Sequence, residues 1–481
     1  MHKTKRSLPR MSPEQLGIVP QQVISFLDDV KAHQIEMHSF MLLRHGQVAA
    51  EGWWAPYAPE LPHMLFSLSK SFTSTAIGMA VHEGILKLDD PVVSFFPEDL
   101  PNTLSEHLAG MQIRHLLMMG TGHDQDTMDA LINAEDGNWV RAFLQLPVPH
   151  EPGTHFLYNT GATYILSAIL QKASGQCLLD YLTPRLFEPL AIENPTWAAC
   201  PRGINTGGYG LNITTEDIAK FGQLYLQKGV WNGERLIDED WIAEATSKQI
   251  SNGDGGDSDW AQGYGYQFWR CRHGVHRGDG AFGQFCIVMP EQDAVLAITS
   301  GTGDMQGILN SAWDYLLPGF LPEPVATNEG SAELSEYIAK LQLEAPQLRS
   351  ESILETQVSG KRYEIDQDQM AQVPFPLKEL RIEFDRDSAR LNMKLESEDS
   401  ITLGREHWLV ESTITIEGKR TRVAGSFTWK SQDELVLTMQ AIETPFCATL
   451  EIRFADNTLT MNSRYNVGWD EVITVQGKAI N

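Results

Sequence analysis

The sequence predicts an α+β protein: a first domain built from one antiparallel sheet covered by helices, followed by an antiparallel β-barrel or sandwich. Between about residues 12 and 320, strand-like segments stand at both ends and helical segments lie between them. The proline-rich stretch from Pro318 to Pro324 then marks a linker. After it, short alternating segments from Leu380 to Ser463 are typical of an antiparallel β domain.

Length and composition agree with two globular domains. A chain of 481 residues is too long for one ordinary core, and its 42% apolar and 21% charged residues are typical of globular proteins. We predict a first domain over residues 1–322, a linker and helix over 323–345, and a lipocalin-like or sandwich β domain over 346–481.

Net charge and cysteine usage exclude several classes of function. The formal net charge of −26 disfavours binding to nucleic acid or anionic membranes. The five cysteines are widely spaced without a C-x-x-C pair, which argues against a disulfide framework or a cysteine zinc site. No run of about 18 apolar residues occurs, and Ser7-Leu8-Pro9 follows the basic start in place of an apolar signal segment. We therefore expect a cytoplasmic protein without membrane or nucleic-acid partners.

Hydrophobic periodicity predicts the elements in order along the chain. The predicted helices are 12–33, a segment beginning at Phe66 and ending at Gly84, 113–119, 162–172, 216–227 with Thr214 or Thr215 as its cap, 307–317 and 335–343. The predicted strands are 38–43, 48–54, 263–270, 284–289 and 294–300, with a turn over 276–283. Because strands come from both ends of the first domain, we expect them to form one sheet.

The chemistry of the first domain centres on the stretch Phe66-Ser67-Leu68-Ser69-Lys70 at the start of a predicted helix. Positions i and i+3 share a helix face, so the Ser67 hydroxyl and the Lys70 amine can meet. Serine is a weak nucleophile until a base takes its proton, and lysine becomes such a base when burial lowers its pKa. The unpaired amides of a first helical turn also favour an oxyanion.

This Ser-x-x-Lys pair is the only match to its pattern in the chain, although the pattern is short. The alternative interpretation is a helix-capping serine followed by a solvated lysine. Two further motifs downstream favour the catalytic interpretation.

On three ordered motifs, residues 12–320 resemble the serine β-lactamase and penicillin-binding-protein superfamily, in particular its class C-like branch of esterases, D-amino-acid peptidases and amide hydrolases. Ser67-x-x-Lys70 is the first motif, and the segments 84–91, 113–117, 152–154 and 216–222 are similar as well. The resemblance implies a β-lactamase/transpeptidase-like fold with helices on both faces of the sheet and a helical subdomain. Some relatives also carry an accessory domain that caps the site.

The second motif of that superfamily, Tyr-x-Asn, corresponds here to Tyr158-Asn159-Thr160, with threonine in place of the asparagine. The resemblance implies that Tyr158, as a tyrosinate near Lys70, acts as a base on Ser67 and later protonates the leaving group. Asn159 and Thr160 become candidate substrate-binding residues, and Asn159 is a candidate to supply the missing amide. The alternative for Tyr158 is a half-buried aromatic residue with a hydrated hydroxyl.

The third motif corresponds to Gly278-Asp279-Gly280, where relatives have lysine or histidine at the position of Gly278. In the superfamily that cation holds a substrate carboxylate, so its absence disfavours such a substrate, although Arg277 stands one residue earlier and is a candidate to replace it. Asp279 and Gly280 are candidate substrate-binding residues. Asp279 would favour a neutral or cationic group, and the alternative is an ordinary turn aspartate.

Other residues are weaker candidates. His123 and Asp124 lie in a loop that borders the site in relatives, but a loop histidine is more often solvent-facing or hydrogen-bonded. Tyr264, Tyr266 and Trp269 are expected to pack rather than stack on a substrate. The chain has neither a Gly-x-Ser-x-Gly elbow nor a His-Glu-x-x-His zinc motif.

The resemblance therefore implies a hydrolase that forms an acyl-enzyme on small esters or amides, including short peptides, without a metal or organic cofactor. Ser67 is the expected nucleophile, Lys70 and Tyr158 share the proton transfers, and the backbone N–H groups of Ser67 and Ala281 hold the oxyanion. Esterase, D-aminopeptidase or amidase activity is favoured over β-lactam hydrolysis. Two other classes stay open: a catalytically quiet binding or sensor protein, and a structural or assembly protein. Homo-oligomer formation is open in each.

Overall fold

The computed structural model describes residues 7–325, 330–370, 377–394, 398–416, 419–469 and 471–480. Residues 1–6, which carry the basic start of the chain, and residues 326–329 of the predicted linker lie outside these ranges. Within the described ranges, no helix is both long enough and apolar enough to cross a membrane.

The elements are numbered in chain order. The helices up to residue 338 are α1 (Pro20–Ala32), α2 (Ser69–His82), α3 (Glu106–Gly110), α4 (Ile113–Leu117), α5 (Met128–Ile132), α6 (Trp139–Leu144), α7 (Thr160–Ser174), α8 (Leu178–Leu182), α9 (Thr215–Leu226), α10 (Glu239–Ala245), α11 (Met305–Ser311) and α12 (Ser331–Ile338). The strands of the first domain are β1 (Met37–Arg44), β2 (Gln47–Trp53), β3 (His63–Met64), β4 (Thr196–Trp197), β5 (Leu211–Ile213), β6 (Val230–Trp231), β7 (Glu234–Arg235), β8 (Trp269–Arg270), β9 (His276–Gly280), β10 (Gln284–Met289) and β11 (Ala294–Ser300).

The first domain is organised around a six-stranded antiparallel sheet with the strand order β2-β1-β11-β10-β9-β8. Strands from the two ends of the domain meet at its centre, where Phe40 of β1 lies opposite Ile298 of β11. This confirms the predicted single sheet. The strands β9 and β8 lie at one edge, and the active-site candidates gather beside them.

Both faces of this sheet are covered, as the resemblance implied. Met41 and Leu43 of β1 belong to the core on the side of α2 and α9, while Phe40 and Leu42 belong to the core on the side of α1 and α11. Because strand side chains alternate between faces, a sheet covered on both sides needs apolar residues at successive positions. The fully buried runs of β1, β10 and β11 meet that requirement.

Several element predictions are confirmed closely. The strands at 284–289 and 294–300 have the predicted bounds. Thr214 is the cap of α9, because its side chain accepts a hydrogen bond from the backbone N–H of Asp217. The predicted helix at 12–33 is divided: a 3-10 helix over Glu14–Leu16 ends at Gly17, whose φ is 69°, and α1 begins afterwards at Pro20.

Two predictions around the third motif are wrong. The expected strand at 263–270 is reduced to β8, because Gly265 N–H bonds to Phe268 O in a tight turn. The expected turn at 276–283 is instead the strand β9 followed by a short turn at 281–283. The polar, glycine-rich sequence of β9 shows no apolar alternation, so its pairing with β10 was not visible in the pattern.

The C-terminal domain is a closed barrel rather than a sandwich. Two short helices, α13 (Glu355–Val358) and α14 (Gln367–Met370), accompany its strands. The strands are β12 (Arg362–Ile365), β13 (Glu379–Phe384), β14 (Ser388–Lys394), β15 (Glu398–Arg405), β16 (Leu409–Ile416), β17 (Lys419–Trp429), β18 (Glu434–Ala441), β19 (Cys447–Ala455), β20 (Thr458–Tyr465) and β21 (Ile473–Ile480). Neighbours pair antiparallel, and a parallel pairing of β15 with β17 closes the ring. Buried side chains such as Trp429 and Leu391 fill its core.

The barrel docks on the first domain through the loop between β18 and β19. The backbone N–H of Met64 donates to Glu443 O at 2.9 Å, and the Tyr57 hydroxyl donates to Thr444 O at 2.8 Å. The connecting helix α12 packs on α1 and β2 and begins four residues earlier than predicted. The two domains therefore share backbone and side-chain hydrogen bonds close to the segment that leads to Ser67.

A buried polar network extends this contact. His38 Nδ1 lies 3.1 Å from His63 Nε2, and His38 Nε2 lies 3.0 Å from Glu36 Oε1. Tyr57 stacks on His38 with ring centroids 3.8 Å apart. From the barrel, Gln440 Nε2 donates to the Tyr57 hydroxyl at 2.8 Å and to Glu36 Oε1 at 3.3 Å.

Candidate active site

Ser67 lies in a one-turn 3-10 helix, Phe66–Leu68, that runs directly into α2. Lys70 falls in the first turn of α2, and its Nζ lies 2.9 Å from Ser67 Oγ. Phe66 has a left-handed φ of 48°, a conformation that is costly for a bulky residue and is concentrated at functional sites. The spacing of the first motif therefore does bring the hydroxyl and the amine together.

Lys70 is enclosed by acceptors. Its Nζ donates to Gly208 O at 2.9 Å and lies 3.4 Å from Thr160 Oγ1. Lys70 is only 1% exposed, and this burial lowers its pKa to about 7, against the opposing effect of the Asp126 and Asp279 carboxylates. Near neutral pH a large fraction of the amine is therefore uncharged and able to accept a proton.

Tyr158 lies over the same amine. The Lys70 Nζ is 4.8 Å from the centroid of its ring. The other side of the pocket is aromatic: Trp269 stacks on Tyr158 with centroids 5.3 Å apart, and Tyr264 meets it edge-on at 6.2 Å. Burial raises the pKa of the Tyr158 phenol well above its ordinary value, and its hydrogen bond with the Ser67 side chain acts in the opposite direction. The raised pKa favours the neutral phenol over the tyrosinate that the resemblance implied.

Thr160, rather than Asn159, lies beside Lys70. Asn159 is fully buried, and its Oδ1 accepts hydrogen bonds from Thr127 N at 3.1 Å and Thr127 Oγ1 at 2.8 Å. It also caps α7, so its amide ties this helix to the 121–127 loop. The Asp126 carboxylate, which sequence reasoning missed, accepts from the Thr160 backbone N–H at 2.9 Å.

Strand β9 passes very close to the Ser67 turn. A Cβ atom at Gly280 would lie 2.0 Å from the carbonyl oxygen of Leu65, and one at Gly278 would lie 2.5 Å from Ser71 Oγ. At Gly280 the clash is with backbone, so only glycine fits there without moving the strand, whereas at Gly278 a side chain of α2 would have to shift. At Gly278, where relatives have a cation, the nearest atoms are the side chains of Ser71 and Leu68.

The turn after β9, which carries Ala281, is held in place by hydrogen bonds from two buried polar side chains. The fully buried Gln284 donates from Nε2 to Ala281 O at 3.0 Å, and Ser300 Oγ donates to Phe282 O at 2.8 Å. Ser300 N–H in turn donates to Gln284 Oε1 at 3.2 Å. Sequence reasoning missed both residues; the available signal was a glutamine at the head of an otherwise apolar strand. These bonds set the orientation of the turn that follows Gly280.

Arg277 and Asp279 form a buried ion pair beside the site. Arg277 Nε donates to Asp279 Oδ2 at 2.9 Å, and the guanidinium lies over the ring of Trp260 at 4.3 Å. Burial raises the pKa of Asp279, and the Arg277 charge opposes that shift. Arg277 is fully buried and paired with Asp279, and its role as a replacement for the missing cation stays a prediction. A substrate-binding role for Asp279 and Gly280 stays a prediction.

The remaining loop candidates have structural partners. His123 is buried, its Nδ1 lies 2.9 Å from Thr121 Oγ1, and burial lowers its pKa to about 4. Asp124 is exposed and pairs with His150 Nε2 at 2.6 Å. Across the described part of the chain, no group of three histidine, cysteine or acidic side chains is placed to hold a metal ion.

Comparison with known proteins agrees with this geometry. The family model described as β-lactamase matches residues 25–316, more than half of the chain. The chain belongs to the β-lactamase family. Its β-lactamase-family domain thus spans the sheet, the Ser67 turn and all three motifs.

Two relatives show that the sequence similarity of this chain to known proteins is distant. A 6-aminohexanoate-dimer hydrolase from Paenarthrobacter ureafaciens is 24% identical over 287 residues, covering 55% of this chain and 73% of that protein. A β-lactamase from Escherichia coli K12 is 26% identical over 217 residues, covering 40% of this chain and 54% of that protein. The chain therefore spans about half the length of the second relative.

Solved structures are similar to this chain in fold, and one of them is similar over both domains, including the barrel. An octameric penicillin-binding protein homologue from Pyrococcus abyssi has a TM-score of 0.50 and 16% identity, covering 95% of this chain and 99% of that one. EstCE1, a hydrolase with promiscuous acyltransferase activity, has a TM-score of 0.51 and 17% identity over 61% of this chain and 99% of its own. At these identities the likeness concerns the fold alone.

Proposed function

We propose that this protein is a serine hydrolase that cleaves small esters or amides through an acyl-enzyme at Ser67. The observation that carries the proposal is the 2.9 Å contact between Ser67 Oγ and the buried Lys70 Nζ, whose pKa is lowered to about 7. A hydroxyl within hydrogen-bond reach of a neutral amine has the base it needs to become a nucleophile.

The proton transfers follow from these pKa shifts. Ser67 Oγ attacks the carbonyl carbon while its proton passes to the neutral Lys70 Nζ. The bond to the leaving group then breaks, Tyr158 gives its phenolic proton to that group, and Lys70 returns a proton to Tyr158. Water next attacks the ester carbon of the acyl-enzyme through the same groups in reverse, which frees the acid and restores the Ser67 hydroxyl.

Stabilisation of the oxyanion is assigned to the backbone N–H groups of Ser67 and Ala281. The close approach of β9 to Leu65 and the fixed turn at 281–283 support this assignment, because preorganised donors contribute most to such a site. Removing one donor of this kind in other enzymes costs about 10²–10³ in kcat.

The substrate class is supported by the same features. One relative is named a hydrolase of the 6-aminohexanoate dimer, and a structural neighbour is a hydrolase with acyltransferase activity. Near the site, the buried Arg277 is paired with Asp279, and Gly278 supplies no cationic side chain. Substrates that depend on a recognised carboxylate, such as β-lactams, are therefore disfavoured relative to neutral esters and amides.

A small substrate panel tests the proposal. We expect Ser67-dependent turnover of p-nitrophenyl acetate and butyrate or of a D-alanyl anilide, with little hydrolysis of nitrocefin. Ser67→Ala should abolish turnover and the mass increase produced by a fluorophosphonate probe. Ser74→Ala is the matched control on the same helix, because the buried Ser74 hydroxyl has no hydrogen-bond partner in the described part of the chain. Turnover that survives Ser67→Ala would refute the nucleophile, and labelling without any turnover would indicate a quiet binding protein.

A further inference from the structure

Two aromatic residues flank the acyl-transfer groups directly. Phe66 precedes Ser67, and Phe282 follows Ala281. Their ring centroids are 5.3 Å apart in an edge-on arrangement at 89°. The pair therefore stands between the nucleophile turn and the turn of the second oxyanion donor.

The barrel adds two more rings to this pair. Phe446, from the loop between β18 and β19, lies 6.0 Å from Phe66 and 5.8 Å from Phe282. Trp469, from the loop between β20 and β21, lies 6.0 Å from Phe446. We call these four residues the aromatic rim. Each domain contributes two of its members.

The aromatic rim is not closed off from solvent. Phe66, Phe282 and Phe446 are partly exposed, and Trp469 is 40% exposed. Partly exposed aromatic residues that cluster on a protein surface mark interaction sites more often than isolated ones do. A cluster that served only to dock the barrel would be expected to bury its rings.

The backbone at two rim positions supports a specific use of the side chains. Phe66 has a φ of 48° and Phe282 a φ of 68°, both in the left-handed region. Glycine adopts this region at little cost, whereas a phenylalanine there is strained. Both strained positions adjoin a proposed catalytic group, and both carry a phenyl ring.

Building on the proposed acyl transfer, we infer that the aromatic rim is a binding subsite for an apolar group of the substrate, aliphatic or aromatic, next to the carbonyl that Ser67 attacks. A carbonyl held by the N–H groups of Ser67 and Ala281 has its substituents within reach of rings that belong to the adjoining residues. The rim rings are uncharged, so they fit an apolar group by burial and ring contact. The barrel is then a specificity element and not only an appended domain.

A series of esters tests this inference. One series varies the acyl group and comprises p-nitrophenyl acetate, butyrate, octanoate and phenylacetate. The other varies the alcohol group and comprises methyl, hexyl and benzyl acetates, followed with a pH indicator. We expect kcat/KM to rise with the size of the apolar group in at least one of the two series. Trp469→Ala and Phe446→Ala should lower the large-to-small ratio of kcat/KM about tenfold, since one lost apolar contact changes discrimination by about 10–200-fold. Trp469→Phe should restore most of the ratio.

Val472→Ala is the control, because Val472 is exposed on the same loop as Trp469 but lies outside the rim. An unchanged ratio in both rim variants, or equal loss on every ester, would overturn the inference and indicate a docking role alone.

A second readout needs no turnover: calorimetry should show tighter binding of phenylboronic acid than of methylboronic acid, with the difference reduced in Trp469→Ala. If Ser67-dependent hydrolysis of acetate esters occurs but the large-to-small ratio of kcat/KM is the same in all variants, only the role of the aromatic rim is refuted. If neither turnover nor boronate binding occurs, the proposed function and the role of the rim are both refuted.

Discussion

At the scale of single residues, burial drives the two ionisable groups beside Ser67 to their neutral forms. The pKa of Lys70 is lowered to about 7, and that of Tyr158 is raised above its ordinary value. A neutral amine can accept the Ser67 proton, and a neutral phenol can donate a proton to the leaving group. In the proposed mechanism, Lys70 would therefore act as the base and Tyr158 as the acid.

The first prediction concerns pH. If neutral Lys70 is the base, kcat/KM should rise through a half-maximum near pH 7 and fall about tenfold per unit below it. The raised pKa of Tyr158 predicts no loss of its proton below pH 10. Asp126→Asn removes a charge that raises the Lys70 pKa, so its half-maximum should move to lower pH. Lys172→Ala, an exposed lysine, is the control, and a shift to higher pH in Asp126→Asn would contradict the assignment.

The second prediction concerns Tyr158. Tyr158→Phe should lower kcat by about 10²–10⁴-fold, as expected for loss of a general acid. The loss should be larger on an anilide than on a p-nitrophenyl ester, because nitrophenolate departs without needing a proton. Tyr264→Phe, which removes a hydroxyl from the neighbouring ring, is the matched control. Equal losses on both substrates would show that the Tyr158 hydroxyl only positions the substrate.

At the scale of elements, the position of strand β9 sets the geometry of the candidate site. Its two glycines let the backbone approach Leu65 and Ser71 at distances that exclude a Cβ atom. Gln284 and Ser300 then fix the turn that begins at Ala281. The geometry of the proposed oxyanion site would therefore depend on strand packing rather than on any one reactive side chain.

The third prediction follows from that packing. Gly280→Ala places a Cβ 2.0 Å from a backbone oxygen, which no side-chain rotation can relieve. We expect a kcat at least tenfold lower and a destabilisation of about 1–3 kcal/mol in urea unfolding. Gly110→Ala is the control, since its Cβ would meet nothing within 4 Å. Unchanged activity in Gly280→Ala would show that the position of β9 does not matter for catalysis.

Sequence reasoning succeeded where local pattern and local structure coincide. The apolar runs of β10 and β11 and the capped helix α9 were predicted because each is specified by its own residues. The Ser67–Lys70 contact was predicted for the same reason, since one helical turn fixes it. The strand β9 was missed because its glycines contact the Ser67 turn and the start of α2, which lie about 200 residues away in sequence.

The parts of the site that involve long-range contacts were also beyond prediction. Asp126 accepts a hydrogen bond from Thr160, 34 residues later, and Gln284 donates to the carbonyl oxygen of Ser300, 16 residues later. Asn159 was a candidate for the substrate amide, but its side chain instead accepts hydrogen bonds from Thr127, 32 residues earlier. In each case the partner is set by tertiary packing, which residue type and spacing do not encode.

At the scale of the whole molecule, the two domains are joined by a buried polar network. His38, His63, Glu36 and Tyr57 contribute from the first domain, and Gln440 contributes from the barrel. Burial lowers the pKa of His63 to about 3, with the neighbouring His38 acting in the same direction. The His63 imidazole is therefore neutral at physiological pH.

The fourth prediction is loss of stability in acid. Because the His63 pKa is about 3 when folded and 6.5 in its ordinary state, the unfolded chain binds the proton first as pH falls. The stability contribution is complete above about pH 6.5 and is lost towards pH 3, at about 1.4 kcal/mol per pH unit. His63→Gln should flatten this decline in urea unfolding between pH 4 and 7. His82→Gln, an exposed histidine, should not, and identical slopes in all three proteins would remove His63 as the cause.

The pairing of β1 with β11 has a consequence for synthesis of the chain. A ribosome delivers residues in order, so β1 has no central partner until Ser300 has left the exit tunnel. Until then, the hairpin of β1 and β2 has an open apolar edge in a growing polypeptide, the condition that chaperones recognise. The segment that carries Ser67 is thus synthesised long before the strand that completes the central sheet. The barrel leaves the ribosome only after that strand.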